Sequence, residues 1–350
     1  MAKRKLVFIT QVVDPADSNL GATRAKIAAL ARRVDEVVVV CDRGLAGTLP
    51  DNCRLRVFGA PTRARRAVRY IGAIVSELRD PPIAVVGHMV PLYTVVAAPF
   101  VRLRRVPLML WYTHWKAHVV LRIATVVCTQ LLSLDERSFP LRSSKVYGIG
   151  HGIDLDEFPC QPLNPTAGRP LRVMSLGRYT EPKKLDEMIE GVRIARERRL
   201  DVRIDLYGTT GAPPLEAYKR QLEEMVSRPE YRAFATVGGA IPRTDLPPVY
   251  GEADIVASDF ISPDKIVLEA CSSCRPVLAS DKSFDRLFAG IEPPLMFVRG
   301  RPETFADRLQ ALAALSDESR YAIGTELRER VRAQHSVETW ADAILRLAES

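Results

Sequence analysis

Short runs of β-branched and aliphatic residues alternate with amphipathic stretches along almost the whole chain. In the first half, four runs are suited to buried strands: Leu6–Thr10, Val37–Cys41, Ile83–Val86 and Leu108–Tyr112. They lack the period-2 alternation of a strand with one solvated face, so both faces of their sheet are expected to be covered. Apolar strands separated by helical stretches are typical of βαβ units and predict an α/β domain with a parallel sheet.

A stretch rich in glycine and proline, residues 150–168, interrupts this alternation, and we place the linker between two domains there. The alternation then resumes with predicted strands at Arg172–Leu176, Val202–Tyr207, Ala235–Val237, Ile255–Ser258 and Pro276–Ala279. Helices are predicted between them at Leu215–Val226, Leu246–Tyr250 and Lys265–Ser272. We therefore expect Rossmann-like, doubly wound domains at residues 1–160 and 161–334, and a C-terminal helix within 335–350 that returns toward the first domain.

Charge is distributed unevenly along the chain. Residues 1–165 contain 23 Lys and Arg against 13 Asp and Glu, whereas the remainder contains 27 against 29. This excess of positive charge in the first half indicates an anionic partner there. Phospholipid, nucleic acid and a phosphorylated substrate all meet that condition, and charge alone does not choose among them.

The six cysteines are scattered, and the basic residues 3–5 lead directly into a predicted strand rather than into a secretory signal. Reduced thiols and a cytoplasmic location are therefore expected. The longest run without Asp, Glu, Lys or Arg, Pro81–Val101, is long enough to span a bilayer. Because Gly87 and Pro91 break it, a buried strand followed by a helix is the favoured interpretation.

The segment from Gly177 to Lys184 joins a predicted strand end to a helix start. In open α/β sheets, ligands bind beyond the carboxyl ends of strands, where helix N-termini attract anions. Arg178 offers a fork of N–H donors and Lys184 a point charge, which together suit a diphosphate that gains charge as a bond to a sugar carbon breaks. A solvated basic helix start, paired with neighbouring acids, explains the same residues equally well.

A second cluster, Ser258–Ala270, again joins a strand end to a helix, and Glu269 is the acid among the apolar residues of that helix. A buried carboxylate needs partners, and a ribose diol would supply two hydroxyl donors. An arginine partner or exposure to solvent is the alternative. Cys271 and Cys274 have a CxxC spacing, but neither a second such pair nor clustered histidines complete a zinc site, so no metal is predicted.

Taken in order, these residues resemble the retaining glycosyltransferases of glycosyltransferase family 4, which have the GT-B fold of two Rossmann-like domains facing a central cleft. The resemblance covers nearly the whole chain. The segments that carry it are Gly21 after the first strand, Trp111-Tyr112-Thr113-His114, Gly150-His151-Gly152-Ile153-Asp154 with Phe158, Gly-Arg-x5-Lys, and Leu268-Glu269-Ala270 with Pro276-Val277.

The resemblance implies a role for each matching position. Arg178 and Lys184 would contact the donor diphosphate, and Glu269 would bind the ribose hydroxyls. Gly21 would let the backbone approach the diphosphate, because a side chain would block that approach. His114 would face the transferred sugar and, with Arg178 and Lys184, form the predicted catalytic set. An ordinary turn glycine and a structural histidine are the alternatives for Gly21 and His114.

One departure from the family concerns the sugar end of the donor. The family has a second acid eight residues before the ribose glutamate, and Ile261 occupies that position here. An isoleucine accepts no hydrogen bond from a sugar hydroxyl. Asp264 is a better substitute than Asp259, because it lies at the predicted N-terminus of the helix, although a simple N-cap role is equally compatible with that place. The adjacent Lys265 is also predicted to bind substrate.

The sequence therefore predicts retaining transfer of a sugar from a nucleoside diphosphate sugar to a glycolipid, lipid-linked saccharide or polysaccharide, without a metal or other cofactor. Two basic stretches, Arg63–Arg69 and Arg102–Arg105, suit peripheral association with an anionic membrane surface, and ordinary solvated faces explain them equally well. Nucleic acid is not a predicted partner. Two alternatives stay open: a GT-B sugar-nucleotide epimerase, and a non-catalytic nucleotide-sugar-binding homologue, for which Ile261 is the supporting feature.

Overall fold

The computed structural model describes residues 3–14, 22–45 and 47–350. The chain forms two compact units. Unit 1 comprises Met1–Asp154 together with Gln334–Ser350, and unit 2 comprises Leu155–Ala333. The boundary predicted after residue 160 falls within the first segment of unit 2, and the C-terminal helix is part of unit 1.

Unit 1 contains a seven-stranded parallel sheet. Its strands are β1 (Lys5–Val13), β2 (Glu36–Gly44), β3 (Cys53–Val57), β4 (Ala84–His88), β5 (Leu108–Trp111), β6 (Gln130–Ser133) and β7 (Val146–Gly148). Their order across the sheet is β3-β2-β1-β4-β5-β6-β7. The chain runs outward from β1 to β3 and then returns to the other side of β1 at β4, which is the doubly wound topology.

Helices cover both faces of this sheet. They are α1 (Thr23–Ala31), α2 (Arg63–Glu77), α3 (Pro91–Leu103), α4 (Val119–Val127) and the C-terminal helix (Val337–Glu349). Alternate residues of β1 face opposite sides: Leu6 and Phe8 pack in the core formed with α1 and the C-terminal helix. Val7 and Ile9 pack in the core formed with α2, α3 and α4. Because both faces are buried here, residues 6–9 of the strand are all apolar.

The apolar run at residues 81–101 forms β4 followed by α3, as predicted. Pro91 is the first residue of α3, where its missing N–H costs no helix hydrogen bond. Among the helices of the described residues, none is long and apolar enough to cross a membrane.

Unit 2 contains a five-stranded parallel sheet, and all five of its predicted strands are present. They are β8 (Leu171–Arg178), β9 (Val202–Thr209), β10 (Ala235–Val237), β11 (Ile255–Ser258) and β12 (Val277–Ala279), in the order β10-β9-β8-β11-β12. Its helices are α5 (Leu185–Glu197), α6 (Pro213–Ser227), α7 (Leu246–Glu252), α8 (Lys265–Ser272), α9 (Asp285–Phe288), α10 (Pro302–Ala313) and α11 (Asp317–His335), whose last two residues belong to unit 1.

Two cysteines form a disulfide, so the prediction that all thiols are reduced is wrong. Cys160 and Cys274 are joined with their Cα atoms 4.9 Å apart, although 114 positions separate them in the sequence. The bond ties the first segment of unit 2 to the end of α8, where Gln161 N also donates to Ser273 O at 3.1 Å. Disulfides persist mainly in oxidising compartments, so this pair is an observation against the predicted cytoplasmic location.

Removing this cross-link should destabilise unit 2. A disulfide mainly constrains the unfolded chain, and native ones typically contribute about 2–4 kcal/mol. We expect Cys160→Ser to lower the free energy of unfolding by about that amount in urea titrations without reductant. Cys53→Ser, at a free and half-buried thiol, is the matched control. Equal losses in the two variants would contradict the stabilising role of the disulfide.

Candidate functional site

The sheet of unit 2 has a topological switch point between β8 and β11. From β8 the chain proceeds outward through β9 to β10, and from β11 it proceeds the opposite way to β12. Loops that leave the carboxyl ends of two such strands diverge, and ligands of open α/β sheets bind in the crevice between them. Both predicted donor-binding segments, 177–184 and 258–270, leave the sheet at this point.

Arg178 is the last residue of β8, and its side chain is exposed. Its guanidinium forms no hydrogen bond or ion pair with any other residue that the structure describes. Pairing with a neighbouring acid, which the alternative explanation included, is therefore not found for Arg178, whereas its exposure is compatible with a solvated side chain. Its guanidinium can present two N–H groups to an anion at the carboxyl edge of the sheet.

The two lysines that follow lie in different environments. Lys184 has a left-handed backbone with φ of +47°, and its half-exposed Nζ lies 3.8 Å from Oε1 of Glu187. Lys183 is buried instead, and its Nζ donates to Leu176 O at 2.8 Å and to Oδ2 of Asp264 at 2.5 Å. The residue predicted from spacing, Lys184, thus stays at the surface beside a glutamate, while its neighbour points into the protein.

Gly177 provides the space for the buried lysine. Its φ of +129° lies in the region that favours glycine, and a Cβ atom at this position would lie 2.6 Å from Lys183 Nζ. A side chain at position 177 would therefore push the ammonium group away from its two acceptors.

Asp264 directly precedes α8, yet its side chain makes no capping hydrogen bond. Its Oδ2 accepts hydrogen bonds from Lys183 Nζ and from Ser258 Oγ, the latter at 2.8 Å. The simple N-cap role is therefore not the one found. Oδ1 makes no hydrogen bond within the described part of the chain, and it is the oxygen that a sugar hydroxyl would have to use.

The other acid near the missing position, Asp259, is buried and held by the protein. Its Oδ1 accepts from Ser280 Oγ at 2.7 Å, and its Oδ2 accepts from Gly300 N at 3.2 Å. Burial raises the pKa of this carboxyl group, although both hydrogen bonds and the nearby Arg299 oppose the rise. Ile261 itself lies in the loop between β11 and α8 with 36% of its surface exposed.

Glu269 lies in α8 and is 1% exposed. Its Oε1 accepts from Nη1 of Arg243 at 3.0 Å and lies 3.4 Å from Nζ of Lys265, while its Oε2 accepts from the Tyr250 hydroxyl at 3.1 Å. The structure therefore contains the arginine partner that the sequence left as an alternative. The second lone pair of Oε2 is not used by any described residue, so a further donor can be accepted there.

Two predicted site residues belong to unit 1. His114 lies in the loop after β5, where its Nδ1 accepts from Lys116 N at 3.1 Å. Its ring stacks on that of Trp115, with centroids 5.6 Å apart. Gly21 lies outside the described residues.

The competing histidines of unit 1 have structural surroundings. His88 is buried and stacks on Trp111 with ring centroids 4.8 Å apart, and burial lowers its pKa well below the usual value. His118 caps α4, since its Nδ1 accepts from Leu121 N at 3.2 Å. His151 packs edge-on against Trp111. His114 remains the candidate for a substrate contact.

Sequence reasoning missed two charged groups of this region. Lys183 was adjacent to the predicted lysine, and only the left-handed turn at Lys184 decides which of them points inward. Arg243 had no sequence signal, because it lies on a separate loop 26 positions from its partner Glu269. In the part of the chain that the structure describes, no cluster of His, Cys, Asp and Glu suits a metal ion.

Comparison with known proteins relates part of the chain to a family. Residues 170–314 match the model of the family described as Glycosyl transferases group 1. The matched region contains the switch point and every candidate residue of unit 2. A sequence search among curated proteins gave no match.

Solved structures match the fold of the whole chain. HepE from Anabaena, solved with UDP and glucose, is similar with a TM-score of 0.74 and 15% identity over 99% of this chain and 100% of that one. Sucrose-phosphate synthase from Thermosynechococcus elongatus is similar with a TM-score of 0.71 and 18% identity over 99% and 98%. A glycosyltransferase from Rickettsia africae is similar with a TM-score of 0.76 and 11% identity over 100% and 98%.

The fold is that of the GT-B glycosyltransferases, as the resemblance implied. Together with the family match of unit 2, it makes the protein a glycosyltransferase of this type.

The Lys183–Asp264 pair gives a stability prediction. Removing one partner of a buried ion pair leaves an uncompensated charge, which costs about 3–5 kcal/mol. We expect Asp264→Leu and Lys183→Met each to lower the free energy of unfolding by about 3 kcal/mol, and the double variant to lose clearly less than the sum. Urea denaturation of all four proteins measures this coupling, and additive losses would show that the pair does not act as a unit.

Proposed function

We propose that this glycosyltransferase moves a sugar, with retention at the anomeric carbon, from a nucleoside diphosphate sugar to a glycolipid, lipid-linked saccharide or polysaccharide. The observation that carries the proposal is the exposed Arg178, which has no partner among the described residues and lies at the switch point of the unit that matches the family model. Because HepE was solved with UDP-glucose, UDP-sugars are the first donors to test.

In this proposal the donor diphosphate lies at the carboxyl edge of β8. Arg178 would clamp two of its oxygens, and Lys184 would leave Glu187, 3.8 Å away, to add a second positive charge. Both cations would then face the charge that grows on the diphosphate as the bond to the sugar breaks. Oε2 of Glu269 would accept a ribose hydroxyl, and His114 would position the sugar without acting as a base.

Arg178→Ala should weaken binding of a nucleoside diphosphate and leave binding of the nucleoside unchanged. A hydrogen bond to a charged group contributes about 1.5–3 kcal/mol, so we expect a loss of about 10- to 100-fold in affinity. Titration calorimetry with UDP and with uridine measures both affinities. Arg232→Ala removes another exposed arginine of unit 2 and should change neither.

If Arg178→Ala instead weakened uridine and UDP equally, the guanidinium would not be acting on the diphosphate. If UDP did not bind, the same pair of measurements would be made with the GDP and ADP series. The anomeric configuration of the product, read by proton NMR, tests retention directly.

Ile261 favours a second candidate function, a nucleotide-sugar-binding protein without catalysis. This side chain supplies no acceptor at the position where the resembling family has an acid. Incubation of the intact protein with donor and a broad acceptor panel separates the two functions, because the binding protein would stabilise on donor addition and release no nucleoside diphosphate. A ligand at 100 times its dissociation constant stabilises its protein by about 2.7 kcal/mol, which a thermal-shift assay detects.

The proposal also includes binding of unit 1 to an anionic membrane surface. Residues 52–134 contain twelve Lys and Arg but only two acids, Glu77 and Asp80. Glu77 is buried and bonded to Arg54 and Arg56, so it does not offset the exposed arginines of α2 and α3.

Exposed apolar side chains accompany this positive charge. In α4, Val119, Ile123 and Val126 are 71%, 43% and 70% exposed, and their spacing puts them on one side of the helix. Leu103, at the end of α3, is 82% exposed beside Arg102 and Arg104. Helix α3 contacts both α2 and α4, so these side chains belong to one helical layer of unit 1. Apolar groups among arginines suit an interface with anionic lipid.

Ile123→Asp should reduce sedimentation with liposomes that contain anionic lipid. The substitution removes an apolar contact worth about 1.5–3 kcal/mol when fully buried and adds a charge that the lipid repels. We expect a loss of about tenfold or more in the partition coefficient at low salt. Val298→Asp, at a 58% exposed residue of unit 2, is the matched control. Equal binding of both variants, or binding of the wild type to neutral liposomes alone, would contradict this part of the proposal.

A further inference from the structure

Arg243 joins the buried carboxylate of Glu269 to the partly exposed carboxylate of Glu157. It lies in the 3-10 turn Arg243–Asp245, on the loop after β10. Its Nε lies 2.5 Å from Oε1 of Glu157, its Nη2 donates to Oε2 of the same group at 2.8 Å, and its Nη1 donates to Glu269 Oε1 at 3.0 Å. The guanidinium also lies 5.2 Å from the ring centre of Phe158. The two Nη groups thus donate to one acid each, which orients the plane of the guanidinium relative to both.

The contacts divide the two oxygens of Glu269 into different roles. Oε1 faces two cations, Arg243 and Lys265, whereas Oε2 receives only the hydroxyl of Tyr250 among the described residues. A carboxylate held in this way cannot rotate without losing a charged partner. The free lone pair of Oε2 is therefore kept in one direction.

Glu157, the other partner of Arg243, lies on a segment that is anchored to the helix that carries Glu269. Glu157 lies three residues before Cys160, which is bonded to Cys274 beyond the end of α8. Arg275 adds a hydrogen bond from its Nη2 to Pro162 O at 2.6 Å. Glu157 and Glu269 thus lie on segments that are cross-linked to each other, and Arg243 spans the distance between them.

The loop that carries Arg243 is held at its other end by the sheet. Gly238 N donates to Leu206 O at 2.7 Å, and Gly238 O accepts from the hydroxyl of Tyr179 at 2.8 Å. This loop leaves the carboxyl end of β10, so its backbone lies along the edge where ligands of open sheets bind. Arg243 couples the position of this loop to that of the Glu269 carboxylate.

We propose that Arg243 is a positioning residue for the nucleoside of the donor, which it serves by holding Glu269 so that Oε2 receives a ribose hydroxyl. The inference rests on the proposed function, since it requires a nucleoside diphosphate at this edge. It differs from a purely structural role in one measurable respect. A structural arginine would affect stability alone, whereas a positioning residue also changes discrimination between ligands with and without ribose hydroxyls.

The test measures that discrimination. UDP, GDP and ADP are first compared by thermal shift, and the diphosphate with the largest shift is titrated together with its 2′,3′-dideoxy counterpart. The measured quantity is the ratio of the affinity for the diphosphate to that for its dideoxy counterpart. A hydrogen bond to a charged acceptor corresponds to about 10- to 100-fold in affinity, which is the ratio expected for the wild type. Arg243→Gln should reduce the ratio to within about threefold of unity, as should Glu269→Gln. The double variant should show no further reduction.

Arg320→Gln is the matched control. Arg320 is a buried arginine of the same unit whose guanidinium donates to backbone carbonyls, including Leu315 O at 2.6 Å, and to none of Glu157, Tyr250 and Glu269. This variant should lose stability and keep the wild-type ratio. If Arg243→Gln does not fold, Arg243→Lys and Glu157→Gln each weaken the contact between Arg243 and Glu157, and each should lower the ratio.

The outcomes separate the two proposals. A wild-type ratio retained in Arg243→Gln, or in both substitute variants, would overturn the positioning role while leaving nucleotide binding intact. Failure of UDP, GDP and ADP to bind the wild type would overturn the proposed function itself. Loss of the ratio in Arg320→Gln as well would show that any destabilised core has this effect, which also overturns the inference.

Discussion

An ion pair between two loops shapes the carboxyl edge of unit 2. Lys183 comes from the loop after β8 and Asp264 from the loop after β11, so their contact crosses the switch point where the chain diverges in two directions. The sheet hydrogen bonds end at the last residues of these strands, and side chains must hold the loops together beyond them. Gly177 makes the contact possible, because only a residue without Cβ leaves room for the ammonium group.

This pair also decides which charges remain for a ligand. Charges buried without partners are costly, so the inward-facing groups of the region pair with one another: Lys183 with Asp264, and Glu269 with Arg243 and Lys265. Arg178, at the exposed strand end, has no such partner in the described part of the chain. The cation that can bind an anion at this edge therefore lies at the surface, while the buried charges beneath it are paired with one another.

The nucleotide and sugar ends of the proposed donor site differ in how completely they are built. Glu269 is fixed by three neighbouring donors and by a disulfide-linked frame. At the sugar end, Ile261 replaces an acid, and Asp264 has one oxygen engaged by Lys183 and Ser258. In the proposed site, Glu269 is thus a preorganised group at the nucleotide end, whereas at the sugar end Asp264 Oδ1 is an acceptor that no described residue uses.

Local patterns in the sequence predicted much of the fold. The predicted helix Lys265–Ser272 and the strands Ala235–Val237 and Ile255–Ser258 have the observed bounds. Apolar runs and turn residues act over a few positions, so they determine where strands and helices form and that both sheet faces are covered. The order of motifs along the chain also identified the GT-B class and the strand ends that carry the candidate site.

Contacts between distant segments were decided by the tertiary structure alone. Cys160 is bonded to Cys274 across 114 positions, and Arg243 pairs with both Glu157 and Glu269. No local pattern in the sequence predicts either contact. The choice between Lys183 and Lys184 depends on one left-handed residue and on where Asp264 lies. Periodicity in the sequence predicts which face of its own helix or strand a side chain occupies. The partner of a buried charge depends instead on which other element packs against that face.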